Sequence, residues 1–185
     1  MLSTGWAREY DDETNTTAAF KKGGGMQPSP FLPFLGPKAP PGFPKSSANC
    51  PAIPIARDIA VVRLQIKVPN NAQGLAFDFN FYSGEWPEYV CSTFNDSFIA
   101  YLKSSAFNNG QADNISFDAK GSPVSINNAF FDRCTNGVQT GCKGSSVATS
   151  SCAGGESELE GTGFKEPGNY CNAPSVGGGA TGWLE

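Results

Sequence analysis

Oxygen-bearing side chains cluster between residues 78 and 96, where their types suit a hard metal ion. Glu85, Glu88, Asn95 and Asp96 fall within a dozen residues, and Asp78 lies shortly before them. Calcium takes six to eight oxygen ligands from carboxylates, amides and backbone carbonyls. The pattern predicts a calcium site at these five residues. The alternative is that they cap turns and face water, since no EF-hand motif accompanies them.

The same stretch carries residue types that act on sugars. Glu85 and Glu88 are the kind of carboxylate pair that a glycoside hydrolase uses, although nothing in the sequence sets their separation. Trp86, Tyr82 and Tyr89 supply flat rings on which a carbohydrate-binding module stacks its ligand. Aromatic residues at the end of a strand more often cover a hydrophobic core, which is the interpretation that we favour. Glycan binding and glycoside hydrolysis stay as the two alternatives to a non-catalytic function.

Histidine is absent from the chain. Without an imidazole there is no Ser-His-Asp triad, no Cys-His pair and no His-ligated zinc hydrolase. The motifs G-x-S-x-G and G-x-x-x-x-G-K-[ST] are also missing, and the triple glycines at 23–25 and 177–179 lack the strand before and the helix after that a phosphate-binding loop needs. The sequence predicts that the protein is not an enzyme.

Six cysteines form an even set with wide, irregular spacing. Zinc sites would need C-x-x-C pairs or histidine ligands, and neither is present. Three disulfides are therefore expected, with the pairing open among 15 possibilities, and they indicate an extracellular or cell-surface protein. The six are Cys50, Cys91, Cys134, Cys142, Cys152 and Cys171.

The formal net charge is −4, with 17 acidic and 13 basic residues. Nucleic-acid binding needs clustered Lys and Arg, so it is not expected. No apolar stretch approaches the roughly 20 residues that a membrane span requires. Expected partners are other surface proteins, a second copy of the chain, or a glycan.

Alternation of apolar and polar residues predicts strands over 62–68 and 75–82. The second carries phenylalanines at 77, 79 and 81 on one face and is expected at the centre of the core. A short buried strand is predicted over 98–102, and a hairpin is predicted to pair 115–117 with 124–126 across a turn at 120–123. Only a short helix, over 156–160, is expected.

The chain length of 185 residues suits one domain. Residues 1–47 are polar and then Pro/Gly-rich, which predicts an extended arm packed on the domain. Residues 48–185 are predicted to form an all-β antiparallel sandwich or jelly roll with long disulfide-stapled loops. The arm's apolar residues are Phe31, Leu32, Phe34, Leu35 and Phe43.

The segment F-D-F-N-F-Y-S-G-E-W-P-E-Y-V-C-S-T-F-N-D-S-F-I-A-Y-L, residues 77–102, resembles the signature of the choice-of-anchor L domain family. G-S-P-V-S-I-N at 121–127 and G-A-T-G-W-L at 179–184 resemble later blocks of that family, and P-P-G-F-P-K at 40–45 resembles a Cys-rich, myxobacterial-type branch. The resemblance implies a β-rich domain of bacterial surface or secreted proteins without an established activity. It supplies no catalytic residues.

Two departures from the family pattern matter. Family members generally continue past the G-W-L block into further strands, which implies that this domain lacks its C-terminal strands and has an open sheet edge. Gly84 stands where the family often has a second Glu, which weakens the calcium prediction. Together, residues and resemblance predict a structural, adhesive or assembly module outside the cell, stabilised by disulfides and by calcium.

Overall fold

Short strands and turns dominate the part of the chain that a computed structural model describes, which is residues 2, 38–43, 45, 47–53, 56, 59–117, 121–128 and 131–185. Within these residues the only helices are 3₁₀ turns of three residues. The predicted predominance of strands over helices is confirmed. The strands are β1 (Phe79–Ser83), β2 (Tyr101–Leu102), β3 (Asp113–Asn114), β4 (Gln139–Thr140), β5 (Ala148–Thr149), β6 (Pro167–Tyr170), β7 (Ala173–Val176) and β8 (Gly179–Leu184).

These strands pair antiparallel into four two-stranded sheets: β1 with β8, β2 with β3, β4 with β5, and β6 with β7. The predicted sandwich is not seen among the described residues, because no sheet there has more than two strands. Most of the strands are too short to present a broad apolar face, and Gly- and Pro-rich connections separate them. A sandwich needs two such faces packed on each other.

The β1–β8 sheet joins the middle of the chain to its end. Phe79 lies opposite Leu184 and Ser83 opposite Gly179, with an irregularity between Asn80 and Tyr82. On its other side β8 is held by Arg133, whose backbone N–H donates to the Ala180 carbonyl at 3.0 Å and whose carbonyl accepts from the Ala180 N–H at 2.9 Å. Ala180 is fully buried as a result.

The β6–β7 hairpin turns through Cys171 and Asn172 alone. Both residues have positive φ, 49° and 63°, as a two-residue type I′ turn requires. Asn tolerates this conformation well, whereas Cys is an unusual choice for it. Cys171 is disulfide-bonded to Cys142, so the turn is tied to a distant loop.

All six cysteines are paired, which confirms the predicted disulfides: Cys50–Cys91, Cys134–Cys152 and Cys142–Cys171. The bridges Cys50–Cys91 and Cys134–Cys152 contribute to a core that lies mainly in turns and loops rather than on sheet faces. The buried residues of this core are Trp86, Val90, Cys91, Ile126, Phe131, Cys134, Cys152, Leu159, Val176 and Ala180.

The prediction of a half-buried strand over 62–68 is wrong in this structure. Residues 61–69 form no strand and are exposed throughout, with Leu64 at 76 %. Alternation identifies which side chains share a face, but a face is buried only where another element covers it. No described element covers this one.

The phenylalanine strand forms in shortened form as β1. Phe79 is buried and stacks on Phe98 with ring centroids 4.3 Å apart, and Phe81 lies 5.9 Å from Phe131. Phe77 lies outside the strand and is exposed, so the prediction of a three-phenylalanine core face is only partly correct.

Three further element predictions are met in part. In 98–102 only β2 is a strand, and none of the segment is fully buried. Of the 115–126 hairpin, whose residues 118–120 lie outside the described ones, the described residues show one bridge, between Phe117 and Pro123, while Val124 and Ile126 are fully buried. The predicted short helix is a 3₁₀ turn at Ser157–Leu159, which buries Leu159 completely.

The prediction of a packed arm over 1–47 falls almost wholly outside the described residues. Phe43 is the one described member of its apolar set, and it is half-buried with the Lys45 ammonium 5.0 Å from its ring centroid. Across the described part of the chain, no helix has the length and apolar character that spanning a bilayer takes.

Candidate functional site

The turn that follows β1 carries most of the residues for which chemistry was predicted. It runs over 84–92, contains a cis peptide bond between Trp86 and Pro87, and is closed by a hydrogen bond from the Tyr89 N–H to the Glu85 carbonyl at 2.9 Å. Trp86 is 4 % exposed and belongs to the core. The ring therefore anchors the turn and presents no open face to solvent.

Glu85 and Asp96 come together at the base of this turn. The Asp96 backbone N–H donates to Glu85 Oε2 at 3.3 Å. Ser83 links the two residues, because its hydroxyl donates to Asp96 Oδ2 at 2.5 Å and its oxygen accepts from the Glu85 N–H at 3.1 Å. Two carboxylates and a buried hydroxyl thus share one small region.

The pKa of Glu85 is raised to about 7, first by burial and then by the negative charge of Asp96, against a smaller lowering by the hydrogen bond from the Asp96 backbone. A carboxylate taken from water and placed beside a like charge holds its proton more tightly. A proton or a cation at this place would relieve the repulsion between the two acids.

Asn127 organises the other side of the turn. Its Oδ1 accepts from the Cys91 N–H at 2.7 Å and its Nδ2 donates to the Ser92 carbonyl at 3.0 Å. Its own N–H donates to Asn95 Oδ1 at 3.0 Å. Asn127 is buried, and an amide in such a place is stable because its groups are satisfied. Sequence reasoning missed this residue, although an Asn directly after the apolar Val124 and Ile126 was a usable signal.

Glu88 lies on the outer side of the turn and pairs with Lys143. Lys143 Nζ is 2.6 Å from Glu88 Oε2 and 4.9 Å from the centroid of the Tyr89 ring. The hydrogen bond that Lys143 donates to Glu88 raises the pKa of Lys143. Glu88 and Tyr89 are therefore in contact with a lysine that sequence reasoning did not identify.

Backbone pairing with the 141–145 loop satisfies the carbonyls of the turn. The N–H groups of Gly141, Lys143 and Ser145 donate to the carbonyls of residues 87, 88 and 91 at 2.8, 2.8 and 2.9 Å. The approach is so close that a Cβ at Gly144 would overlap the Val90 carbonyl oxygen. Glycine is thus required there by contact with backbone.

The five predicted calcium ligands lie in different environments and do not all come together. Glu85 and Asp96 adjoin each other, and Asn95 precedes Asp96 while its side chain binds the Asn127 backbone. Glu88 is in its ion pair, and Asp78 is exposed just before β1. In the described ranges no three Asp, Glu, Cys or His side chains are grouped as a metal site.

Tyr82, the third residue of the predicted aromatic platform, packs its ring 5.4 Å from Phe164. Its hydroxyl accepts from Asn80 Nδ2 at 3.2 Å, and burial raises its pKa, with a further rise from the charge of Glu158. The three predicted aromatic residues thus have separate settings: Trp86 in the core, Tyr82 on Phe164, and Tyr89 beside Lys143.

A second polar cluster, which sequence reasoning missed, ties β1 to the 157–159 turn. Arg133 Nε donates to Glu158 Oε1 at 2.7 Å, and Nη1 of the same residue donates to Asp132. Glu158 Oε2 accepts from Asn80 on β1 at 3.1 Å. The guanidinium lies against Gly154, where a Cβ would overlap it. These contacts connect β1 to the 157–159 turn, so the cluster has a structural function.

Comparison with family models, with curated proteins and with solved structures finds no match to this chain. The resemblance to the choice-of-anchor L family rests on the quoted residues and stays a prediction.

Proposed function

We propose that this protein is a non-catalytic module of the extracellular space or cell surface that works by assembling with another polypeptide. The observation that carries the proposal is the exposed row of apolar side chains at residues 62, 64, 66 and 68. Monomeric proteins rarely leave a large apolar surface open unless it binds something. Under this proposal, strands from the partner would extend the sheet at this surface and complete the sandwich that the sequence predicts.

The three disulfides support a location in an oxidising compartment, where such bonds persist. The turn over 84–92 supports a structural function, because its core-facing tryptophan, its outer glutamate and the carbonyls of residues 87, 88 and 91 are engaged within the protein. Glycan binding through Trp86 and hydrolysis by Glu85 and Glu88 receive less support, since Trp86 is buried and Glu88 is paired with Lys143.

Photo-crosslinking tests the assembly proposal. A photoreactive amino acid replaces Leu64 in the protein expressed in its source cells. A matched control carries the same amino acid at Val147, which is comparably exposed on another loop. We expect a crosslink to a polypeptide at position 64 and none at position 147. Equal crosslinking at the two positions, or none at 64, would contradict the proposal.

The alternative functions are tested on the same purified protein with a glycan array and a panel of chromogenic glycosides. A non-catalytic assembly module gives neither saturable binding nor turnover. Binding that is lost in Trp86→Phe, or turnover that is lost in Glu85→Gln or Glu88→Gln, would overturn the proposal in favour of the corresponding alternative.

Calcium stays part of the proposal as a stabiliser. Of its five predicted ligands, we retain Glu85 and Asp96, because these two acids adjoin each other. A cation between them would remove their mutual repulsion and bind only the folded state, so it would raise the melting temperature by mass action. We expect a higher melting temperature in calcium than in chelator, and no difference in Asp96→Asn. An identical melt in both buffers for the unsubstituted protein would remove calcium from the proposal.

A further inference from the structure

The strongest unexplained feature of the molecule is the segment that precedes β1. We define the apolar strip as Val62, Leu64, Ile66 and Val68, which alternate with Arg63, Gln65 and Lys67. All four strip residues are between 57 % and 76 % exposed. No backbone hydrogen bond joins 61–68 to any other residue that the structure describes.

This segment has the sequence of a strand, but among the described residues it has no partner strand. Its alternation and its β-branched residues favour strand pairing. A turn follows it, closed by the Ala72 N–H donating to the Pro69 carbonyl at 3.1 Å, and the exposed residues Leu75 and Phe77 follow the turn. Two strands by themselves are marginally stable in water, whereas a third makes such a sheet stable. A strand added by a partner would therefore stabilise a sheet that includes residues 62–68 and 75–77.

The charges of the segment indicate what kind of strand it would accept. Arg63 and Lys67 are its only charged residues between positions 59 and 77, in a chain where acids outnumber bases. Antiparallel pairing sets side chains of the same face directly opposite each other, and opposite charges there stabilise the pair while like charges destabilise it. Acidic residues on the incoming strand match Arg63 and Lys67.

A second copy of the chain fits this surface less well. The antiparallel register that sets all four strip residues of one copy against all four of the other places Val62 opposite Val68 and Leu64 opposite Ile66. The same register places Arg63 of one copy opposite Lys67 of the other, which is a like-charge pair on each side of the centre.

We propose that residues 60–68 form a docking strand that accepts a β-strand from a partner protein in which apolar residues alternate with Asp or Glu. The added strand pairs with the open backbone of 60–68, lays its apolar residues against the apolar strip and sets its acids opposite Arg63 and Lys67. This β-strand addition rests on the proposed assembly function and names the chemistry of its partner.

Fluorescence anisotropy with labelled, capped peptides tests the proposal on the intact oxidised protein. One peptide alternates valine with glutamate, and its matched control alternates valine with lysine. We expect saturable binding of the glutamate peptide, weaker binding of the lysine peptide by about tenfold, and loss of the difference at high salt. The double variant Arg63→Glu/Lys67→Glu should reverse the preference, and Leu64→Asp should bind neither peptide.

Each of the other outcomes overturns the proposal. Equal binding of the two peptides, or a preference that Arg63→Glu/Lys67→Glu leaves unchanged, would show that charge does not select the partner. Sedimentation that shows a dimer abolished by Leu64→Asp would assign the strip to a second copy. A crosslink at position 64 with no binding of the glutamate peptide would overturn the acidic strand and leave the assembly function standing. If neither the crosslink at position 64 nor binding of the glutamate peptide is observed, the acidic-strand proposal and the assembly proposal are both overturned.

Discussion

At the scale of single residues, the environment decides what each side chain does. Glu85 and Glu88 are three positions apart and identical in chemistry. Glu85 nevertheless lies beside Asp96 and has a raised pKa, whereas Glu88 forms an ion pair with Lys143. Their difference arises from their position on the turn: Glu85 lies at its base beside Ser83, and Glu88 lies on the side that meets the 141–145 loop.

Glu85→Gln should change the dependence of stability on pH. The pKa of Glu85 is raised from 4.5 to about 7 in the folded protein, so the stability that its proton provides is fully present below pH 4.5 and lost as the pH rises through about 7. Glutamine mimics the protonated acid. We expect the variant to be more stable than the unsubstituted protein at pH 8, by on the order of 1–2 kcal/mol after allowance for partial exposure.

Urea denaturation in chelator at a series of pH values measures this difference. The two proteins should have the same stability below pH 4.5, where Glu85 is protonated in both the folded and the unfolded state. Glu88→Gln serves as the control and, because it keeps Glu85, should retain the pH dependence that Glu85 causes. A Glu85→Gln variant that is equally or less stable at pH 8 would contradict the raised pKa.

Gly144→Ala should destabilise the protein because its Cβ would overlap the Val90 carbonyl oxygen, which belongs to backbone and cannot rotate away. Overpacking of this kind costs about 1–3 kcal/mol. Gly74→Ala is the matched control, since nothing lies within 4 Å of a Cβ there. Thermal melts that show equal stability for the two variants would mean that the 141–145 loop yields easily.

At the scale of elements, the outcome depends on whether a neighbour is present. β1 forms because β8 returns to pair with it and because Phe98 and Phe131 cover its phenylalanines. The segment 62–68 has an equally clear alternation and forms no strand, because nothing described lies beside it. Exposure continues from this segment through Phe77, and burial begins with Phe79 at the start of β1.

Two leucine substitutions measure this contrast. Leu64→Ser should change the free energy of unfolding by less than about 0.5 kcal/mol, because Leu64 is exposed. Leu159→Ala should cost about 2–5 kcal/mol, because Leu159 is completely buried in the core. Chemical denaturation provides both values. A large loss for Leu64→Ser would mean that the segment packs against part of the protein even without a partner.

At the scale of the whole molecule, covalent bonds take the place of extended sheets. The described residues hold eight strands of two to six residues, and the three disulfides close loops with sequence separations of 41, 18 and 29 residues. Each bridge restricts the unfolded chain, and at these lengths it contributes about 3–4 kcal/mol. That is a large part of the stability of a domain of this size.

Removal of single bridges should therefore lower stability in the order of loop length. We expect Cys50→Ala/Cys91→Ala to lose about 4 kcal/mol and Cys142→Ala/Cys171→Ala slightly less, while full reduction should abolish the near-ultraviolet circular dichroism signal. Intact mass before and after reduction confirms that three bridges are present. A protein that keeps its tertiary signal in reductant would show that packing alone maintains the fold.

The sequence by itself determined the features that depend on local chemistry or on composition. Six cysteines without histidine predicted disulfides, alternation predicted β1, and the lack of any long apolar stripe predicted that any helix would be short. Only the folded chain shows which cysteines pair, that Asn127 holds the turn, that Glu85 meets Asp96, and that no described element covers 62–68. These outcomes depend on contacts between residues far apart in the chain, and periodicity carries no information about which distant element arrives to make them.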